Sequence, residues 1–342
     1  MFRMFIRLTA VLVVASMPIP IHAQAPRAAG HASAWNAMSW RASWEARQGP
    51  ESTEKIAKSF NVGPGGTLDI SNVSGKIIVS EGGTDTIAIE AVKRVRGRES
   101  DVQDHLARTV VNISERAGRV EVKTTYTSGG RNIRTSVDYT VTAPAGTSVY
   151  AHSISGDIRI TNIKGEVRAD AVSGDVVAVA TPGATLVRTV SGDASVSGVA
   201  NQNELKVSSV SGNVKVDGAK VRTVDADSIS GDVTLAEVTC DRATAKSISG
   251  SIIFGGPLAK NGRYEFKSQS GDIRLTLSGT PGFEVDANTF SGNVRSDLPV
   301  TLRAGETVGG RALRKGIHGV HGDGSAQLLL TSFSGDITIA KK

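Results

Sequence analysis

Few side chains in this chain are of kinds that do chemistry, and their spacing narrows them further. Six histidines stand at His22, His31, His105, His152, His318 and His321. None belongs to a His-Glu-x-x-His run, and there is no Gly-x-Ser-x-Gly elbow. The many Ser-Gly pairs lie in recurring turns, so none is a credible nucleophile. The single cysteine, Cys240, excludes an internal disulfide framework and any Cys-based zinc or iron–sulfur centre. It sits among small residues and reads as a buried filler.

One segment breaks the pattern of the rest. Arg303 to Gly324 carries Arg303, Arg311, Arg314, Lys315, His318 and His321 amid seven glycines. Arg311, Arg314 and Lys315 fall close together and are the candidate anion-binding residues, suited to phosphate or an acidic glycan. The alternative is a solvated, mobile insertion. A metal on His318 and His321 would need a helix, and Gly319 argues against one. No catalytic residue, no cofactor and no metal site is expected.

A row of acidic residues offers a second possibility. Asp157, Asp175, Asp193, Asn213 and Asp232 each follow a Ser-Gly pair. Stacked, they would suit a file of calcium ions, as in Gly- and Asp-rich β-rolls. Asn213, Asn293 and Ser251 hold the position without charge, however, and one carboxylate per repeat is too few for calcium. The expected role is a turn device, with Gly supplying positive φ and the Asp or Asn side chain bonding nearby backbone.

The elements that carry these residues follow from a repeat. Ser155, Ser173, Ser191, Ser211, Ser230, Ser249, Ser270 and Ser291 are 18 to 21 residues apart, and Ser334 follows 43 later. A period near 19 is the mark of a solenoid, and the last interval suggests one degenerate rung. Within a period the apolar residues alternate. Leu205, Val207 and Ser209 share one face against Lys206 and Ser208. Val214 and Val216 oppose Lys215. Each period thus holds two short strands around a Gly turn, and strands stacked about 4.8 Å apart form parallel sheets. The fold class expected is all-β, a parallel β-solenoid or flattened β-helix with an irregular N-terminal β cap. A β-sandwich of serial hairpins is the structural alternative. Aromatic residues are only 4% of 342, which suits a narrow interior of Val, Ile, Leu and Ala.

The N-terminal part reads as an address. Arg3 and Arg7 precede an apolar stretch from Leu8 to Ala15, and Ala23-Gln24-Ala25 fits a cleavage site, so residues 1–25 are taken as a signal peptide. An uncleaved anchor is the alternative. Residues 26–59 form a leader with Trp35, Trp40 and Trp44, read as a tether that ends in a linker around Gly49-Pro50-Glu51-Ser52-Thr53-Glu54. A partner-docking helix is the other reading. Residues 60–148 form the cap, with a short helix near Asp101 to Arg108. Residues 149–342 form the solenoid, interrupted near 303–324. The mature chain is expected to be extracytoplasmic, periplasmic or secreted, with no transmembrane span. A net charge of +6 without aromatic-interleaved basic stretches gives no case for nucleic acid.

Leu68-Asp69-Ile70 with Val73-Ser74-Gly75-Lys76-Ile77, then Tyr139-Thr140-Val141-Thr142-Ala143-Pro144-Ala145-Gly146, then serial Ser-Gly-Asp-Val, resembles the bacterial putative-adhesin family of unknown function with β-strand repeats. The likeness runs from about Phe60 to Lys342. It implies a cell-envelope protein, and it brings no catalytic residues. The expected function is a non-enzymatic exported scaffold or adhesin-like binding surface for an unknown envelope polymer or protein. An envelope-polysaccharide enzyme and a self-assembling filament protein are the alternatives. Ligand, handedness and oligomeric state are not given by the sequence.

Overall fold

The computed structural model describes residues 51–96, 99–127, 135–279, 282–302, 307–308 and 315–342. The expected signal peptide, nearly all of the leader, Arg311 and Arg314 lie outside them.

Alternating apolar residues pack into two long sheets, of 13 and 15 strands, that face each other across one core. The regular unit is a rung. A strand of the long sheet, such as β8 (Ser148–Ser155), turns through Ser-Gly-Asp into a shorter strand of the other sheet, such as β9 (Ile158–Thr161). Rungs from β10 (Val167–Ser173) to β19 (Ile252–Gly256) repeat this with parallel pairing. Val176, Ala194, Val214 and Val233 stack in register, all fully buried. The parallel ladder decides for the solenoid and against the sandwich.

The turn explains the Ser-Gly-Asp sequence. Gly192 has φ +141, and a Cβ there would run into the Gly174 carbonyl of the preceding rung. The backbone N–H of Asp193 donates to Oδ1 of Asp175 at 2.9 Å, and that of Asn213 to Oδ1 of Asp193 at 2.7 Å. Asn213 does the same for Asp232 at 3.0 Å, so the bond needs an oxygen and not a charge. The turn-device expectation is refined in one respect: the acidic side chain bonds the neighbouring rung and not its own turn. Two residues before Ser191 and before each later Ser of the repeat, a buried hydroxyl donates to the glycine carbonyl of a neighbouring rung, as from Ser209 to Gly192 at 2.8 Å and Ser228 to Gly212 at 2.9 Å. Backbone groups freed by the corner are thereby satisfied.

Both ends depart from simple stacking. β2 (Thr67–Ser74) and β3 (Ile77–Glu81) form the first rung in sequence, but β2 lies between β8 and β6 (Arg119–Tyr126), and β3 between β9 and β7 (Thr135–Ala143). β4 (Thr86–Arg96) then continues from β7 antiparallel, and helix α1 (Glu99–Arg108) leads to β5 (Thr109–Arg116), antiparallel to β6. At the other end β20 (Arg263–Ser270) and β21 (Ile273–Leu277) are followed in space by β27 (Ala326–Ser334) and β28 (Ile337–Lys341). Only beyond these lie β22 (Phe283–Ser291) and β23 (Val294–Ser296). The 43-residue interval is therefore not a degenerate rung. The chain makes its outermost rung first, then returns to insert its last one.

Two other expectations are corrected. Glu51–Asn61 is not linker but strand β1, paired antiparallel with β4 along its whole length. Its Glu, Ser, Thr and Lys residues suit an edge strand, which pairs through backbone and leaves much of its side-chain surface to water. The insertion is not wholly loop: β24 (Val300–Leu302), β25 (Thr307–Val308) and β26 (Gly316–His321) extend the long sheet antiparallel beyond β22. Ile317 is buried there.

The interior changes along the stack. The rungs around Ala169, Ala171 and Ala184 are filled by Ala and Val. Toward the C-terminal end the lumen holds Phe254, Tyr264, Phe266 and Phe283, all fully buried. Phe254 and Phe266 meet at 5.4 Å between ring centroids. Cys240 is buried as expected, and burial, with nearby Asp241, pushes its thiol up to about 12.

Candidate functional site

The outer face of the long sheet holds the groups that could meet a partner. The strand alternation that buries Leu205, Val207 and Ser209 turns Val210 outward, and the same parity holds in every regular rung. The residue just before the Ser therefore faces outward, and it is apolar in every rung but that of Gln269. Ile154, Val172, Val210, Ile229 and Ile248 form one line, spaced by the rung repeat. Phe333 and Phe290 end the line. Their rings stack at 4.9 Å and 7° between planes, and Phe290 is 74% exposed. The sequence motif already contained these positions, and counting strand parity back from the turn would have shown that they face solvent.

Beside this line, two residues closer to the strand start, runs a charged row: Asp170, Arg188, Ser208, Asp227 and Lys246 are neighbours in register. A further row holds Asp69, Arg168, Lys206, Asp225 and Glu265. That row is paired within the chain: Asp69 with Arg119 at 2.6 Å, Arg168 with Glu166 at 2.8 Å, and Lys206 with Asp225 at 3.4 Å. Lys267 is drawn to Glu265 in the same way. Asp227 differs, since its Oδ1 is shielded from solvent and has no hydrogen-bond partner. Burial raises the Asp227 pKa, and Asp225 adds to the shift. At the C-terminal end the two outer rows border a shallow groove of about 650 Å³, with Lys246, Lys267 and Asn288 on one side and Ile248, Phe290 and Phe333 on the other.

Of the three expected anion-binding residues, only Lys315 is described. It is exposed and lies against the outermost rung. Its carbonyl accepts from the Thr289 N–H at 2.9 Å, and its Nζ donates to the Gly292 carbonyl at 3.0 Å. Lys315 is therefore held on the strand and turn that carry Phe290. His318 and His321 lie three apart on a strand and so face opposite sides. His318 Nδ1 is 3.0 Å from Asp286 Oδ1, whereas His321 Nδ1 is 2.6 Å from the Pro299 carbonyl. They do not converge. No cluster of His, Cys, Asp and Glu among the described residues is arranged for a metal, and no helix among them is long and apolar enough to cross a membrane.

No curated protein matches the chain. Among solved structures, a putative adhesin from Bacteroides fragilis is 13% identical, with TM-score 0.41, covering 83% of this chain and 96% of its own. A putative lipid binding protein from Parabacteroides distasonis is 10% identical, with TM-score 0.42, covering 84% and 96%. A putative adhesin from Parabacteroides merdae is 12% identical, with TM-score 0.38, also covering 84% and 96%. At such identities and scores none of them bears on function. The solenoid itself finds a family counterpart: residues 184–340, most of the regular rungs and the inserted last one, match the Toastrack DUF4097 family model.

Proposed function

We propose that the chain is an exported, non-enzymatic envelope protein, and that the C-terminal tip of its solenoid is an adhesin-like binding surface for an acidic envelope polymer. The observation that carries this reading is an exposed aromatic ring and a lysine on the same outermost rung. Phe290 stands out from the end of the apolar line, and Lys315 is tied to the turn beside it. Arg311 and Arg314 immediately precede Lys315 in sequence. Sugar rings pack on exposed aromatic faces, while the carboxylates or phosphates of an acidic glycan attract the cations over a Debye length of about 8 Å at physiological salt. The expected signal peptide supports export. The Toastrack match agrees with the fold that this reading builds on.

The filament alternative has less support. Three of the four sheet edges are antiparallel strands, β1, β5 and β25, and the fourth, β23, is a three-residue parallel strand, so another copy meets little free parallel edge. The enzyme alternative lacks a metal cluster among the described residues and a recognisable nucleophile.

The test is binding of the mature protein to immobilised acidic and neutral envelope glycans at several salt concentrations. Arg311→Ser, Arg314→Ser and Lys315→Ser together should weaken binding to the acidic glycan and flatten its salt dependence. Phe290→Ala should weaken it without changing the salt slope. Unchanged binding in both variants removes the tip from the account, and glycan turnover by the wild type makes the enzyme reading the better one.

A further inference from the structure

The apolar line and the charged row beside it point to a different partner, and the geometry assigns it: we infer that two copies of this chain pair antiparallel through the outer faces of their long sheets, about a two-fold axis passing near Val210 and Ser208.

Three observations carry this. The first is spacing. Nine of the ten rungs place an apolar residue just before the Ser; Gln269 is the exception. The line repeats every rung, about 4.8 Å. An extended peptide repeats side chains on one face at about 6.6–6.8 Å, twice its rise per residue. A second solenoid has the same repeat and can interdigitate along the whole line. From Val73 to Phe333 this is nine rungs, about 38 Å.

The second is charge. A two-fold axis across the stack at Val210 faces each rung with its mirror about that rung. Asp170 then meets Lys246 of the other copy, and Arg188 meets Asp227. In the chain itself Asp170 and Arg188 are register neighbours, as are Asp227 and Lys246. The pairing therefore closes a ring of four alternating charges, and symmetry makes two such rings. Moving the axis by half a rung in one direction faces Asp170 with Asp227, and in the other faces Arg188 with Lys246. Among registers within one rung of it, only the one at Val210 leaves no like-charged pair, and it forms four opposite-charge contacts in this row.

The third is that these groups are left over. The next row out is ion-paired inside the chain, through Arg119–Asp69, Arg168–Glu166 and Lys206–Asp225. Asp170, Arg188, Asp227 and Lys246 make no ion pair or hydrogen bond of that kind among the described residues, and the shielded Oδ1 of Asp227 is without a partner.

The contact is long and narrow, roughly 600 Å² per copy if two to three rows take part, at the low end for a specific interface. The pair is thus expected to dissociate in the micromolar range and not to be obligate. Phe290 lies five strands from the axis, opposite β6 of the other copy, so pairing and glycan binding are read by separate measurements.

Sedimentation velocity of the mature protein over a micromolar concentration series tests it. A concentration-dependent dimer is expected. Arg188→Asp and Asp227→Arg should each weaken it by about tenfold or more, and the two together should restore it. Val210→Cys should cross-link copies under mild oxidation, because the axis brings this residue beside itself and Cys240 is buried. Melting temperatures of these surface variants should stay near that of the wild type, which separates loss of pairing from loss of fold. A monomer throughout the series overturns the inference. So does a dimer that is indifferent to the charge reversals, or one in which Val210→Cys does not cross-link. Glycan binding of the charge-reversed variants reads the tip separately.

Discussion

The middle of this solenoid and its two ends are built from the same rung, yet they are held in different ways. In the middle each rung follows its predecessor in sequence and space. It contributes a few Val and Ala side chains, in most rungs one hydroxyl bond to a glycine carbonyl, and one Asp or Asn bond to the next turn. At the ends the order is shuffled. The first rung in sequence, β2–β3, and the last, β27–β28, each lie second in space, covered on both sides. Large buried rings are confined to the same places: Tyr139 near one end, and Phe254, Tyr264, Phe266 and Phe283 near the other. A stack of identical rungs gains from each neighbour equally, so its terminal rung has half the contacts and frays. Inserting the terminal segment of the folded chain between two others gives it two neighbours, and antiparallel strands then finish three of the four sheet edges.

Removal of residues 326–342 is the harshest test of this comparison. In an ordinary stack the loss of one terminal rung costs one interface. Here β27–β28 is the only link between β20–β21 and the β22–β26 end in the long sheet. Truncation after Ser325 should therefore expose the whole region from Phe283 onward to rapid amide exchange, while protection around Val176 to Val233 survives. Retained protection of Phe283 to His321 would mean that the inserted rung is not what holds the end.

Single side chains probe the same difference. Phe266 stacks in register between Ala245 and Leu330, with Phe254 across the lumen. Phe266→Ala should leave a cavity that stiff neighbouring rungs cannot close, at a cost of about 3–5 kcal/mol in chemical denaturation. Small side chains in the rungs of Ala169 and Ala184 leave nothing of that size to remove.

Alkaline pH should loosen the ends before the middle. Burial pushes the Tyr139 hydroxyl up to about 12, against which its bond to Thr124 at 2.6 Å works only in part. Burial raises Tyr264 as well, and its hydroxyl donates to the Cys240 carbonyl at 2.7 Å. A tyrosine whose folded pKa lies above its unfolded value of about 10 contributes stability that is complete below pH 10. That contribution falls as pH rises through the folded pKa. For Tyr139 this is up to about 3 kcal/mol, lost between about pH 10 and 12. Tyr139→Phe should remove this share of the dependence, and amide exchange should rise first around β7 and β20. Uniform loosening of all rungs would erase the distinction.

Much of the middle could be read in the sequence, because a rung is a local object. The period near 19, the parity of Leu205, Val207 and Ser209, and the Gly corner all lie within one repeat. The ends could not be read this way. Ser334 stacks on Ser270, 64 residues earlier, and on Ser291, and nothing local distinguishes this from a skipped rung. Glu51–Asn61 looks like linker because this edge strand rests largely on backbone pairing with β4 and sends only Ile56 and Phe60 against the core. Gly316 and Gly319 likewise disguise β26. For the site, the apolar line was visible as a motif but its exposure was not drawn from it. The basic cluster was found, with Lys315 the one member whose surroundings are described.

The smallest effect probes the middle alone. Ser228 donates to the Gly212 carbonyl, and the hydroxyls of Ser209, Ser247 and Ser268 do the same one rung apart. Ser228→Ala leaves a buried carbonyl without its corner partner and should cost about 1 kcal/mol. Ser228→Thr should be close to neutral, since Thr189 and Thr289 hold the same place and bond Gly174 at 2.8 Å and Gly335 at 2.9 Å. Because a rung touches only its neighbours, Ser228→Ala and Thr289→Ala should add within about 0.5 kcal/mol, whereas Ser228→Ala with Ser247→Ala should not. The distant pair lies four rungs apart and shares no carbonyl, strand or turn. Equal coupling in both pairs would show that the hydroxyl file acts as one unit along the stack and not rung by rung, and the contrast between a modular middle and interlocked ends would then fail.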